Sequence, residues 1–532
     1  MENRKEEFLK TVCRIYMAAI VVLLPLCYIP WNGYYKIGDT KYYLFRNISL
    51  VCMGCCVIVG LASAAAELWA RAKLRYKGHI HGDKPDEIQE NRRKRLHGIV
   101  KTSVDRCREN AVQTAVYAYG ICAVLSAICS PYGSTAWTGE REWYMGAVTI
   151  CLMVSGFWMA AHYGEQCREI VLLGEAAFTA VTLIGLFQKL GYDPLGLLKG
   201  YVVGDWEYTH MLSTLGNNNW LSGYYSVMFP LSLALLQKAM SDRKMIPQII
   251  LGICNVLAVM LLLLQGSDSG VLVACISVWL WLWLNRDQQQ NWQKILLMLA
   301  SAFVGMFIFG KILQRLGTYD ILLQDGIAKK LATWWGWPLA VGICLLFCAV
   351  CRLIPDKTEK MLQKGILYGS LGIAIIALLW YVYHLTEINF AEWGNRRGRL
   401  WQMAWTGFRE GDLRLKLLGA GPDCFAKYLG ELLPGGTVLF DKGYFCGSVF
   451  TNAHNEWLTT LVNLGLMGTA AYAMIFITAL RTYRKNTLAV LLLFTYGIHS
   501  LISFQQVLNA PFFFLVLGLC EAQNRREKTQ NR

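Results

Sequence analysis

Apolar runs of bilayer length alternate with short polar connections along this chain, a pattern that predicts an all-α, polytopic integral membrane bundle. The runs lie near 12–30, 48–70, 111–130, 145–162, 169–188, 220–238, 247–265, 269–285, 294–312, 334–351 and 365–384, with three more after residue 452, about fourteen spans in all. Three parts follow from them. Residues 1–385 hold the N-terminal spans and a basic loop at 71–110, residues 386–452 form a polar, glycine-rich segment that reads as a cap or lid, and residues 453–532 return to spans. The stretch Thr451 to Gly468, TNAHNEWLTTLVNLGLMG, marks the passage from cap to span. Asn452 is expected to cap a helix whose first turn holds His454, Asn455 and Glu456. The positive end of that helix favours the neutral imidazole, the form that accepts a proton. Gly465 and Gly468 would let a second helix approach closely. The competing reading is an interfacial histidine with no chemistry.

Composition supports the membrane assignment. Apolar residues make up 55% of the 532 positions and charged residues only 16%, so a soluble core could not absorb the apolar runs. The net charge of +15 would suit a nucleic-acid partner, but the basic residues sit in short connections between apolar runs, as in Arg71 to Arg95 and Arg481 to Lys485. There they orient the chain with both termini in the cytoplasm, and no nucleic-acid motif competes. Most of the 18 cysteines lie in apolar runs and read as small buried hydrophobes. Cys424 and Cys446 share the polar cap, where a disulfide stays open as an alternative to free thiols. His79 and His81 have no nearby third ligand and read as part of a solvated loop. The charged Met1 to Lys10 and the long first apolar run are expected to remain as an uncleaved N-terminal span.

Candidate chemistry gathers on the outer face. Arg396, Arg397 and Arg399 precede an amphipathic stretch with Leu400, Trp401, Ala404, Trp405 and Phe408. Guanidinium groups pair with phosphate oxygens and stay charged, so a phosphate-bearing ligand fits, with lipid head groups as the alternative. Asp268, in the turn Gln265 to Gly270, either caps the next span or acts at the site. His454 has no serine or cysteine partner and no metal-ligand spacing. A proton acceptor beside cations suits transfer of a group from a phosphate leaving group better than hydrolysis by a triad.

AHNEWLTTLVNLGLMG resembles the signature of the O-antigen ligase and O-antigen polymerase superfamily, membrane glycosyltransferases with a large outer loop that ends in a His-Asn motif. Four further pieces resemble that family in order: Thr138 to Gly146 (TGEREWYMG), Gly216 to Gly223 (GNNNWLSG), Arg397 to Trp401 (RGRLW) and Gly419 to Phe425 (GAGPDCF). The resemblance implies a glycan donor carried on a polyprenyl diphosphate, a glycan or lipid acceptor, and transfer at the outer side of the cytoplasmic membrane without a cofactor or metal. It implies surrounding membrane lipids and proteins of a polysaccharide export system as partners. In it, His454 is the general base and Arg399, with Arg397 as a second candidate, stabilises the departing diphosphate. Arg396, Arg397, Arg141, Lys442, Asp268, Asn217, Asn219, Asn455 and Glu456 then line the substrate site. Family members often carry an arginine where this chain has Asp268 and Ser269; Arg396, Arg397, Arg141 or Lys442 is expected to replace it. A polymerase is favoured over a ligase. A transporter is the alternative from another class, and the broken helices and repeats that would mark one are not read in the sequence.

Overall fold

The computed structural model describes residues 2–78, 110–164, 167–202, 204–323, 326–385, 390–432 and 450–530. Helices dominate, and the segments expected to span all fall on them. The first group comprises α1 (Glu2–Leu26), α2 (Ile37–Gly78), α3 (Ala111–Cys129), α4 (Ala147–Tyr163), α5 (Arg168–Lys189) and α6 (Asn218–Ser241). Then follow α7 (Met245–Leu264), α8 (Asp268–Leu284), α9 (Gln289–Leu316), α10 (Trp337–Leu353) and α11 (Asp356–Leu385). The cap holds α12 (Trp393–Glu410), α13 (Leu413–Leu418) and α14 (Phe425–Leu432), and α15 (Glu456–Thr482), α16 (Thr487–His499) and α17 (Ala510–Gln530) complete the chain. Among the described residues, eight helices are long and apolar enough to cross a membrane, and four shorter apolar helices accompany them. The chain is thus a multi-pass, helical membrane protein. Among the described residues the sheet content is one small hairpin, β1 (Met211–Leu212) with β2 (Gly216–Asn217), in a segment read as loop.

The main core is built where α4 packs on α17, α3 on α15, and α6 on α16, and it is rich in tyrosine and phenylalanine. Side chains bond across the bundle, as in Ser277 with Thr495 at 3.0 Å and Trp281 Nε1 to Gln237 at 2.9 Å. A second apolar cluster joins the cap to the membrane helices: Leu400, Met403 and Ala404 of α12, Leu415 of α13, and Phe425, Tyr428 and Leu429 of α14 meet Ala127 and Val462. The cap is therefore packed onto the ends of α3 and α15.

Two boundaries differ from the sequence reading. The tyrosine-rich connection before the second span is mostly helix, because α2 starts at Ile37, with Asp39 in its first turn accepting from Tyr144 at 3.0 Å. Helix α15 starts at Glu456, so its cap lies three residues later than the Asn452 expected. Asn455 is the cap, its Oδ1 accepting from Leu458 N at 3.0 Å, whereas the Asn452 oxygen accepts from His454 N at 2.9 Å. Both asparagines offer the same short acceptor.

Gly465, expected with Gly468 to let a second helix approach closely, also marks a break in α15. Gly465 has φ +66 and breaks the helix. The break frees the carbonyls of Val462 and Asn463, which Ala420 N and Gly421 N meet at 2.9 Å each, and Ser126 Oγ donates to Asn463 O at 2.9 Å. A Cβ on Gly465 would lie 2.5 Å from the backbone of Leu417, and one on Gly419 would strike Asn463. The Gly419 to Phe425 turn of the cap thus plugs the break, so every freed carbonyl named here is paired inside the apolar layer.

Candidate active site

The connections at one end of the bundle converge. Phe504, between α16 and α17, packs its ring edge-on to His454 at 5.0 Å and to Trp143 at 4.9 Å, and Trp143 meets Trp220 at 6.4 Å. This aromatic ladder runs from the start of α15 to the start of α6. The opposite end collects the basic turns: Lys364 pairs with Asp287 at 3.4 Å, Lys294 Nζ donates to Gln248 at 2.8 Å, and Asn486 bonds Gln523 at 3.1 Å.

His454 lies just ahead of α15, in a left-handed conformation with φ +48, and not in the first helical turn. Its ring is held between Phe450 and Phe504 and keeps intermediate exposure. The expected neutrality has a different cause from the helix dipole. Burial first, and then the Arg397 guanidinium, push its pKa down to about 3. Arg397 sits within α12, where Arg396 and Arg399 also lie, so the arginines are part of the amphipathic helix and not a prelude to it. Burial lowers the Arg397 pKa while the Asp268 carboxylate opposes that shift. His454, Arg397 and Asp268 therefore come within electrostatic reach of one another through the guanidinium, although three separate segments supply them.

The other expected residues occupy varied places. Arg396 pairs with Glu392 at 3.7 Å, one turn back, and Arg399 is half-buried on α12. Gly398 between them allows the carbonyl of Phe390 to press against the helix where any side chain would collide. Asp268 opens α8 after Ser267, with its side chain exposed and free of a capping role. Asn217 caps α6 by accepting from Asn219 N at 2.8 Å. Asn219 Oδ1 accepts from Ser267 Oγ at 2.6 Å, which ties the start of α6 to the Asp268 turn. Arg141 is exposed, and Asn455 is buried as the helix cap. Glu456 corrects the reading most clearly. Its carboxylate points into the bundle, where Tyr472, Tyr496 and Gln505 donate to it, so its oxygens are engaged in anchoring the helix. Lys442 and Cys446 lie outside the described residues, as do His79 and His81; Cys424 is a buried free thiol.

Asp423 was quoted in a motif but given no role. Its Oδ2 accepts from Glu140 N at 2.7 Å and Met145 N at 2.9 Å, locking the Thr138 to Gly146 loop onto the cap turn. Burial raises its pKa to about 7 against the opposing pull of those two bonds, with Glu140 adding to the rise. A cavity of about 40 Å³ touches Asp423, Asn452, Glu456, Asn463 and Phe504, and Asn463 Oδ1 has no partner among the described residues. It is large enough for water, which would satisfy that oxygen. Phe504 and His499 escaped the sequence reading altogether; the polar run HSLISFQQ at the end of an apolar helix is the signal that could have drawn attention to them.

No protein-family model matches the chain, and no curated protein matches it.

Proposed function

We propose that this protein is a membrane glycosyltransferase of the O-antigen polymerase or ligase kind, moving a glycan from a polyprenyl diphosphate to an acceptor hydroxyl. The observation that carries the reading is the neutral, half-buried His454 under the influence of Arg397, at the end of the bundle where the cap packs. In the reaction, the acceptor oxygen attacks the anomeric carbon and the bond from that carbon to the diphosphate oxygen breaks. The leaving diphosphate keeps the electron pair and stays on its lipid, and the imidazole takes the hydroxyl proton. Arg397, in place of the Arg399 favoured from the motif, stabilises the charge that develops on the diphosphate, with Arg399 next to it in the helix.

The same geometry orders the steps. Burial first, and the Arg397 guanidinium second, keep His454 a poor base, with a pKa of about 3. A bound diphosphate cancels that positive charge, so the histidine becomes more basic once the donor is seated. Asp268, beside the diphosphate site, then serves the acceptor sugar and holds Arg397 in place.

Fourteen crossings fit the helix pattern, with the basic turns and both termini cytoplasmic and the cap on the outer side of the cytoplasmic membrane. Polymerase remains the favoured form, with a second lipid-linked glycan as acceptor. The test is the lipid-linked glycan pool of the native host after His454→Ala or Arg397→Ala replacement, at matched protein level. Accumulated donor with lost polymer is expected; unaltered polymer and an unaltered pool in both variants would refute the transferase.

A further inference from the structure

Asp423, in the cap turn between α13 and α14, reaches across to the Thr138 to Gly146 loop that leads into α4. Its Oδ2 accepts from Glu140 N at 2.7 Å and from Met145 N at 2.9 Å, one bond on each side of Trp143. The loop is tightly folded: a Cβ on Gly139 would lie 2.5 Å from the Tyr144 backbone, and one on Gly146 would lie 2.4 Å from Gly139 N. Among the described residues eight non-glycine residues have positive φ, and four of them lie on one path: Asp423 at +59, Glu142 at +73, Tyr144 at +52 and His454 at +48. Side chains keep such conformations only where their surroundings enforce them. A second hold on the loop comes from α2, where Tyr42 stacks on Tyr144 at 4.0 Å and Asp39 accepts from the Tyr144 hydroxyl at 3.0 Å. Trp143 is thus presented between two anchors.

From Trp143 the path continues through ring contacts. Trp143 meets Phe504 edge-on at 4.9 Å, and Phe504 meets His454 edge-on at 5.0 Å. Edge-to-face pairs are directional, so a ring that shifts carries its neighbour with it. Asp423, Trp143, Phe504 and Asn452 line one cavity of about 40 Å³, and Asn452 Oδ1 accepts from His454 N at 2.9 Å. On that side the two rings face open space and not packed protein, so the hold on the loop decides where they rest.

Resting on the transfer reaction, we propose that Asp423 is a positioning residue for His454, holding the loop whose Trp143 backs the Phe504 ring against which the imidazole lies. The same latch aligns the two halves of the site. Ala420, Cys424 and Phe425 of the Asp423 turn share an apolar cluster with Leu400 and Ala404 of α12, the helix that carries Arg397. A cap latched through Asp423 therefore sets the guanidinium and the imidazole in one register. A general base acts only within hydrogen-bond reach of its proton, so a small displacement of the ring lowers the rate.

The experiment uses the full chain in nanodiscs, labelled at histidine, with the His454 ring signal identified by its loss in His454→Ala. Phe504→Leu is expected to remove the ring-current shift of that signal. Trp143→Leu and Asp423→Ala should move it part of the way in the same direction, and the double variant should move it no further than Trp143→Leu. Asp423→Asn, whose amide oxygen still accepts from both backbone groups, should leave the signal in place. With lipid-linked glycan extracted from the native host, Asp423→Ala should lower kcat by about tenfold or more and keep KM within about twofold, and Asp423→Asn should restore kcat. Thermal melting checks the fold of each variant, and Trp143→Leu alone decides if Asp423→Ala does not fold. A His454 signal that stays in place in folded Trp143→Leu or Asp423→Ala protein overturns the positioning role, as does an equal loss of kcat in Asp423→Asn and Asp423→Ala. Wild-type protein that shows the expected shifts and no transfer upholds the path from Asp423 to His454 and overturns the transferase reading.

Discussion

Helices α11 and α15 look alike as sequences and differ as structures. Their spans run over 29 and 27 residues, and an 18-residue apolar window in each has mean hydropathy 2.0 and 1.6, yet 6% of one window and 56% of the other is buried inside the protein. Hydropathy measures compatibility with lipid, not contact with it. What separates the two is the content of groups that pair with protein: in α15 the Tyr472 hydroxyl donates to Glu456 and the Gly465 break is filled by the Gly419 turn, whereas Leu371 to Leu379 of α11 is an exposed apolar run that lipid can cover.

The contrast can be pressed hardest at Gly465. Gly465→Val places a branched side chain at φ +66 and against the Leu417 backbone, so loss of the docked cap is expected, at a cost of about 4 kcal/mol or more. Limited proteolysis and folded yield in detergent would report it. Asp423→Asn should keep both backbone bonds, since an amide oxygen also accepts, while removing a titration. The folded carboxyl has its pKa raised from 3.8 to about 7, so its stabilising effect is full below about 4 and is lost as pH rises towards 7. The wild-type melting temperature should therefore fall by several degrees across that window, and that of the variant should stay flatter. Ser126→Ala removes one of two donors to Asn463 O and should cost about 1 kcal/mol in a denaturant titration. Gly369→Ala on α11 meets nothing within 4 Å and should leave melting unchanged or slightly raised, which is the control that the comparison requires.

The layout of helices was legible because bilayer length and hydropathy are strong, local signals. The approach of His454 to Arg397 was suggested by the family-like pieces and their residue chemistry, against the competing readings of an interfacial histidine and of arginines on lipid head groups. The break at Gly465 was not, because Leu461, Leu464 and Leu466 continue the apolar pattern through it and glycine is ordinary in membrane helices. Which arginine acts on His454 was hidden for another reason. Arg397 and Arg399 lie two apart on a helix and so point to different faces, and only packing selects one. Glu456 illustrates the same limit: the sequence places it beside His454, but helix α15 turns its carboxylate to the tyrosines of the interior.

The most direct test of the account is the titration of His454 itself, followed by nitrogen NMR of imidazole-labelled protein in nanodiscs, with and without undecaprenyl diphosphate. The account predicts a ring that stays neutral down to about pH 4 in the unliganded protein, a pKa that climbs when the lipid binds, and an Arg397→Gln variant in which the pKa starts higher and no longer responds. A ring that titrates near its ordinary value of about 6.5 in both proteins, indifferent to the lipid, would contradict it.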